Sequence, residues 1–500
     1  MKKKRRGMIG LFLSLTLVLG GCGSPERERS LEEGEAGEES LLDPKNPVSV
    51  TLWHYYAGEN KQALEDAVSE FNQSIGIERG VIISPIAKGS ILDLEGEITA
   101  AARGEAGSEE MPELFSGYLD KAMEIDALGK LEDLSRYFDA KEKERYFARY
   151  IHPSISEEKE FLVFPIVKST ELLYINQEGW DRFASENRVS EEDLRTWEGL
   201  LKTARSYYVW QDGKTPDRPW DGKGLMGLDV LSNFIFVGSR QLGVDIMDKE
   251  SGKVHLNVPA LRRIYDIYVQ GMALGYFDAI GKYRSDNIKS GDLIAYVGSS
   301  SGAAYFPSWI EKDGEKQPIS LMAKAYPVFE GGASFIVSQG AGVCLSKSDP
   351  QKQEGAVLFL KWFIGGEKNA RFAVSTGYFP VNAQPYQSGT KEGFLEAMQG
   401  DAPLAENLVK VYGVTYDQLM RSDTYETPLF DKSYEIRKFF ESTLMMQAQR
   451  TEEDALQWKN RNMNEEEILE KLDMDARFDS WLDELRSELE SRDIPYEEVF

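Results

Sequence analysis

The order of hydrophobic patterns beginning at Val48 constrains the fold most. Val48, Val50 and Leu52 alternate with Ser49 and Thr51, the period of a half-buried strand, and run into Trp53-His54-Tyr55-Tyr56. Ala63, Leu64, Ala67, Val68, Phe71 and Ile75 then recur at helical spacing, with Gly76 as a stop. Gly80–Ile86 reads as a second strand, and Pro112–Tyr118 as a third after another helix. Strand, helix, strand, helix, strand predicts an α/β fold with a mainly parallel sheet and helices on both faces. The alternation continues through Phe161–Asn176, a helical stretch at Ser190–Tyr208, and Gly291–Phe306. A helix over Gly355–Ile364 stops at Gly365-Gly366, and another runs toward the turn Gly377-Tyr378-Phe379-Pro380. There is no internal repeat, and 500 residues exceed one comfortable core, so two or more lobes are expected.

The N-terminus is of another kind. Lys2, Lys3, Lys4, Arg5 and Arg6 precede an uncharged apolar run from Met8 to Leu19, then Gly20-Gly21-Cys22. That run is too short for a stable bilayer span, which needs about 20 apolar residues, and reads as a secretory signal peptide over 1–21. Leu19-Gly20-Gly21-Cys22 resembles the bacterial lipobox, whose cysteine is acylated and becomes the new N-terminus. The expectation is an exported chain anchored through Cys22 to the outer face of the cytoplasmic membrane. Residues 22–46 hold little to bury and much acid, a disordered tether.

The chain carries a net charge of −26, and the leader holds basic residues and no acidic ones, so the mature protein is more acidic still. Such a surface repels nucleic acid and anionic headgroups. With Cys22 lipidated, Cys344 has no partner; in the apolar run Gly342-Val343-Cys344-Leu345 it reads as a small core hydrophobe on a strand. The sequence lacks a Walker A motif, a G-x-G-x-x-G after a strand, an H-E-x-x-H and paired C-x-x-C motifs. No cofactor or metal is expected. Gly298-Ser299-Ser300-Ser301-Gly302 fits G-x-S-x-G, but that chemistry needs a downstream histidine, and His54, His152 and His255 all lie upstream.

Six segments in order, "VTLWHYY" with "AVSEFN", "PELFSGYLDKAMEIDALGKLEDLSRYF", "FPIVKSTELLYIN", "SDNIKSGDLIAYVGSSSG", "GAGVCLSKSDPQKQEGAVLFLKWF" and "STGYFPVN", resemble the sugar-type extracellular solute-binding proteins that feed ABC importers (solute-binding family 1, maltose-binding-protein-like). The resemblance covers most of Val48 to about Asn382 and is looser from about Gly400. It implies a two-lobe periplasmic-binding-protein fold of the class II type, with ligand held between lobes joined by three hinge crossovers. Crossings are expected near Pro165–Lys168, Tyr326–Gly332 and Tyr378–Val381. One lobe would join 47–166 with 333–378, the other 167–332 with 379–500, the latter ending in a helical tail.

In open α/β sheets ligands sit beyond the carboxyl ends of the strands. Rings cover a sugar's C–H faces while carboxylates and amides pair with its hydroxyls. Candidates on these grounds are Trp53 as a stacking platform, His54 and Tyr55 beside it, and Tyr118 and Asp120 past the third strand. Lys168, Ser169 and Glu171 fall on the first crossing, where they contact ligand or brace the hinge. Ser299 and Ser300 offer hydroxyls and N–H groups, including to a phosphate. Gly340 lets backbone approach the cleft, Tyr378 closes it, and Trp220 and Trp309 are further rings on the second lobe. In the C-terminal stretch Phe478, Trp481, Leu482, Leu485 and Leu489 share a helical face that packs on its own domain.

The expected function is capture of a mono- or oligosaccharide and delivery to the membrane subunits of an ABC importer by a monomer that makes and breaks no bond. Glycerol phosphate or another polyol is the alternative ligand. An extracellular carbohydrate-active enzyme and a surface scaffold are the rivals from other classes.

Overall fold

Two principal sheets, rather than one, collect the strands. The computed structural model describes residues 40–146, 161–279, 284–312, 314–400, 403–428, 430 and 432–500. The leader, Cys22, most of the tether and His152 lie outside them.

The first sheet runs in the order β2 (Val81–Ala87), β1 (Val48–His54), β3 (Leu114–Gly117), β14 (Gly342–Leu345), β4 (Phe164–Pro165). β1 pairs in parallel with β2, from Val48↔Val81 to His54↔Ala87, and with β3. β14 is antiparallel to both β3 and β4. The parallel arrangement therefore holds only for the first three strands, because β14 re-enters the sheet from elsewhere in the chain. Helix α1 (Gly58–Phe71) turns Leu64, Val68 and Phe71 inward. Helix α2 (Ile91–Arg103) starts in a capping box, with Asp93 N–H donating to Ser90 Oγ at 3.2 Å and Ser90 N–H to Asp93 Oδ2 at 2.8 Å.

The second sheet has the order β12 (Leu321–Ala325), β6 (Glu171–Asn176), β9 (Ala295–Ser299), β7 (Met226–Leu228). All six residues of β6 are buried, which explains the apolar run Leu172–Ile175 between Glu171 and Asn176: a central strand covered on both faces has no solvent side. β6 is antiparallel to both neighbours, and β7 is parallel to β9.

Between the sheets the chain passes from β4 through β5 (Val167–Lys168) to β6, and returns from β12 through β13 (Phe335–Val337) to β14. β15 (Phe379–Pro380) pairs antiparallel with β5, and β13 pairs with β16 (Asp423–Tyr425). Crossing segments are thus stitched to one another. Gly340 marks their closest approach: its φ is +131°, and a Cβ there would stand 3.0 Å from the Val167 carbonyl oxygen.

The helical stretch expected over Ser190–Tyr208 divides at Thr196. A 3₁₀ turn (Glu191–Arg195) precedes it, and a helix over Trp197–Asp212 follows, capped by Thr196 Oγ1 accepting from Gly199 N–H at 3.1 Å. Smaller pairings complete the strands. β8 (Val254–Asn257) takes the final strand β17 (Tyr496–Val499) in parallel, and β10 (Trp309–Lys312) with β11 (Glu315–Pro318) makes a hairpin.

Further helices bear on the site: α3 (Leu119–Ala127), α4 (Leu231–Gln241), α5 (Val258–Leu274), α6 (Gly366–Thr376), α7 (Ser433–Lys459) and α8 (Met474–Ser491). The C-terminal stripe packs inward: Phe478, Trp481, Leu482, Leu485 and Leu489 are buried. Tyr265 of α5 meets the Phe478 and Trp481 rings at 5.4 Å, and Trp481 Nε1–H donates to Thr443 Oγ1 of α7 at 3.0 Å. Cys344 is a buried free thiol in a core cluster with Trp53 and Phe115, and burial pushes its pKa up. No described helix is long and apolar enough to cross a membrane.

Candidate functional site

A cavity of about 420 Å³ opens where the crossing segments meet. Its wall on the first sheet comes from the loop after β3, with Tyr118 at the start of α3 and Asp120 in its first turn. The crossings add Pro165, Lys168, Gln339 and Gly340. The second sheet's side gives Val230 and Asn233, and the first turns of α7 give Ser433, Tyr434 and Arg437.

The polar floor is a connected network. Arg437 donates from Nη1 to Thr427 Oγ1 at 2.8 Å, and from Nη2 to Ser232 Oγ at 3.0 Å and Asn233 Oδ1 at 3.2 Å. Asn233 Nδ2 in turn donates to Gln339 Oε1 at 3.1 Å. Lys168 Nζ lies 3.2 Å from Glu426 Oε1, which also accepts from Ser338 Oγ at 2.9 Å. Two cations, two carboxylates, amides and hydroxyls therefore surround one volume that also holds the Tyr118 and Tyr434 rings.

Four of the sequence-derived candidates line this cavity: Tyr118, Asp120, Lys168 and Gly340. Ser169 braces the crossing instead, its N–H donating to the Gln339 carbonyl at 2.8 Å and its carbonyl accepting from Gln339 N–H at 3.0 Å. Tyr55 and Tyr378 gather beside Tyr118 in an adjoining tyrosine patch, with Tyr55 and Tyr56 centroids 5.0 Å apart. Tyr118 keeps 41% of its surface exposed at this edge.

Trp53 requires correction. It is 1% exposed, packed with Leu94, Ile98 and Phe115. Lys88 Nζ sits 4.0 Å from its ring centroid, tied to Glu97 and Glu109 at 2.8 Å each. A ring so covered offers no face to a ligand. His54 is also fully buried, with neither ring nitrogen hydrogen-bonded, and burial lowers it to about 4, leaving it neutral.

The serine loop is a brace. Ser300 is 0% exposed; its Oγ accepts from Thr170 N–H at 3.2 Å, while Ser299 Oγ caps Ser301 N–H at 3.3 Å. Trp220 lies away from the cavity, Nε1 donating to the Met463 carbonyl at 3.2 Å, and Trp309 sits on the β10–β11 hairpin under Lys316. Glu171 is 1% exposed and lies behind the lining. Among the described residues no group of three or more His, Cys, Asp or Glu is placed to hold a metal ion.

Sequence reasoning missed Asn233, Gln339, Glu426, Tyr434 and Arg437. The one local signal was the spacing of Tyr434 and Arg437, which puts both on one helical face. Nothing in that spacing tells which distant segment the face meets.

Comparison with known proteins follows the same architecture. A bacterial extracellular solute-binding protein family model matches residues 67–393. The sn-glycerol-3-phosphate-binding periplasmic protein UgpB of Rhizobium meliloti is 24% identical over 381 residues, covering 72% of this chain and 81% of that one. UgpB from Mycobacterium tuberculosis, solved in complex with glycerophosphocholine, superposes with a TM-score of 0.63 at 16% identity, over 89% of this chain and 100% of that one. The cyclic alpha-maltosyl-1,6-maltose binding protein from Arthrobacter globiformis gives 0.62 at 17%, with the same coverage. The fold is thus that of the periplasmic binding proteins, and with more than half of its length matched, the chain belongs to the family of bacterial extracellular solute-binding proteins.

Proposed function

We propose that this protein captures a small polyhydroxylated solute, a carbohydrate, in the cavity between the crossings and delivers it to the membrane subunits of an ABC importer. Acylated Cys22 holds it to the outer face of the membrane, and the acidic tether gives it reach. The observation that carries this reading is the floor network of Arg437, Asn233 and Gln339, which joins α7, α4 and a crossing segment around one volume. A solute touching all three favours the arrangement in which they are together, so capture shifts the population toward the closed form. At about 420 Å³ the cavity lies toward the small end of ligand pockets, which run from roughly 300 to 1,000 Å³, and suits a mono- or disaccharide better than a long chain.

Tyr434 and Tyr118 are the rings for the solute's C–H faces; Arg437, Asn233 and Asp120 pair with hydroxyls. Glu426, held by Lys168 and Ser338, is engaged in structure, and no bond of the solute is made or broken. A second reading has specific support: Lys168, Arg437 and the N-terminus of α7 put positive charge on the cavity wall, which suits a glycerol phosphoester. The UgpB relatives point the same way.

A thermal-shift screen of the fragment from Asn46 to Phe500 decides between them. The panel contains mono- and disaccharides, polyols, sn-glycerol 3-phosphate and glycerophosphodiesters. Binding to the native state alone raises Tm in proportion to ln(1 + [L]/Kd), and a hit without product formation supports capture. Silence across the panel, or turnover of a glycoside, overturns it.

A further inference from the structure

The floor network has a poorly satisfied neighbour. Glu171 opens β6 just past the first crossing and is 1% exposed; neither carboxyl oxygen makes a well-formed hydrogen bond, and the Asn233 side chain is the polar group set to donate to it. Four groups on four segments face it. Asn233 comes from α4, Asp229 from the loop after β7, Arg437 from α7, and Tyr326 from the segment after β12, its hydroxyl buried and likewise without a partner. Asn233 is the one that also lines the cavity and accepts from Arg437.

An ionised carboxylate here is costly, since one loosely set amide and a nearby guanidinium return less than the solvation a buried charge loses. A neutral carboxylic acid meets the same site at far smaller cost and has one O–H to give. The hydrogen bonds of Arg437 go to Thr427, Ser232 and Asn233, all neutral groups. A negative charge appearing on Glu171 would oppose the guanidinium's field in the cavity and, as an acceptor only, compete with Gln339 for the Asn233 Nδ2–H.

We propose that Glu171 is a positioning residue, kept neutral behind the cavity floor, and that its ionisation draws the Asn233 amide away from Gln339, loosens the floor network that holds Arg437 and weakens solute capture. Burial pushes the carboxyl up to about 8; Asp229 adds to the rise, while Asn233 and Arg437 oppose it. Capture therefore weakens in mildly alkaline medium. If only the neutral form supports binding, the apparent Kd rises about tenfold for each pH unit above the titration midpoint. The capture half of this inference rests on the cavity reading above; the protonation half does not.

The test has two arms on the Asn46–Phe500 protein. In the first, infrared difference spectra without solute compare wild type with Glu171→Gln. A carboxylic-acid C=O band present at neutral pH, lost in alkali and absent from the variant is expected. Arg437→Gln should move that band's midpoint upward, because a favourable cation has been removed. An ionised Glu171 at neutral pH, or a midpoint indifferent to Arg437→Gln, overturns the proposal, and neither result depends on the solute's identity. In the second arm, maltose and sn-glycerol 3-phosphate are titrated across pH. Wild type should lose affinity above the midpoint for the probe that binds, and Glu171→Gln should hold a flat profile. Parallel profiles overturn the capture half. If neither probe binds, the first arm still decides the proton and its link to Arg437. Tyr434→Ala without effect on affinity would instead sink the cavity reading and leave the proton result standing.

Discussion

The end of β1 and the start of α7 make opposite use of what their residues offer. Trp53-His54-Tyr55-Tyr56 concentrates aromatic surface at the carboxyl end of a strand, where ligands commonly sit, yet Trp53 and His54 are wholly enclosed. Ser433-Tyr434-Glu435-Ile436-Arg437 is an ordinary-looking helix start, and it supplies the cavity with a ring and a guanidinium. The deciding factor is the neighbouring segment. Behind β1 stand α2 and the Lys88 bridge to Glu97 and Glu109, which seal the indole. Ahead of α7 stand only the crossings, which leave a gap. Aromatic content marks where free energy of burial is available; the gap in the packing decides where a ligand goes.

The sharpest way to break this contrast is Trp53→Ala. Removing a buried indole should cost about 3–5 kcal/mol of stability and leave solute affinity of the folded fraction unchanged. Chemical denaturation and calorimetric titration of one sample measure both. An affinity loss without a stability loss would return Trp53 to the site.

How much was legible follows the same division. The strands at β1, β2, β3 and β14 were readable because period-two alternation or an unbroken apolar run is a local property. The crossing at Pro165–Lys168 was placed by resemblance, and Lys168 and Gly340 do line the cavity there. Tyr118 and Asp120 were singled out because strand ends are predictable places for a site, and both line the cavity. Arg437 and Asn233 were not, since their meeting joins positions about 200 residues apart through neutral partners, which no spacing reveals. The serine loop misled for a related reason: glycine-flanked serines look presented, but here Ser300 is turned onto Thr170 N–H.

Glu171→Gln sharpens the comparison through pH. The native state holds a proton that the unfolded chain releases near the ordinary value of 4.5, while the folded value is about 8. Glu171's contribution to stability is therefore complete below 4.5 and is lost as pH rises through about 8. The amide has no such slope, so the variant's Tm should climb relative to wild type across that window. A constant Tm difference would mean that Glu171 does not titrate there. Next in size, Arg437→Ala should weaken capture by about 2 kcal/mol, roughly thirtyfold, as removal of an arginine anchor from the middle of a binding surface does. Tyr434→Ala should cost less, on the order of 1 kcal/mol, because the ring is 46% exposed before solute binds.

The smallest expected effect separates the two ligand readings. Lys168 and Glu426 form a partly exposed pair, side chains 14% and 36% accessible, so breaking it with Lys168→Met should change stability by less than about 1 kcal/mol. Its effect on affinity depends on the solute's charge. A neutral sugar meets Lys168 as one hydroxyl partner among several, and its Kd should move only a few-fold with little dependence on salt. A phosphoester draws on the ammonium's charge, so its Kd should rise further in the variant. Salt screening should also weaken wild-type binding of the phosphoester more than the variant's, which keeps only Arg437 as a cation in the cavity. Titrations of both proteins at low and high ionic strength make the distinction. A wild type clearly more salt-sensitive than the variant assigns Lys168 to an anion; equal salt dependence in the two leaves it as the brace that the Glu426 contact already makes it.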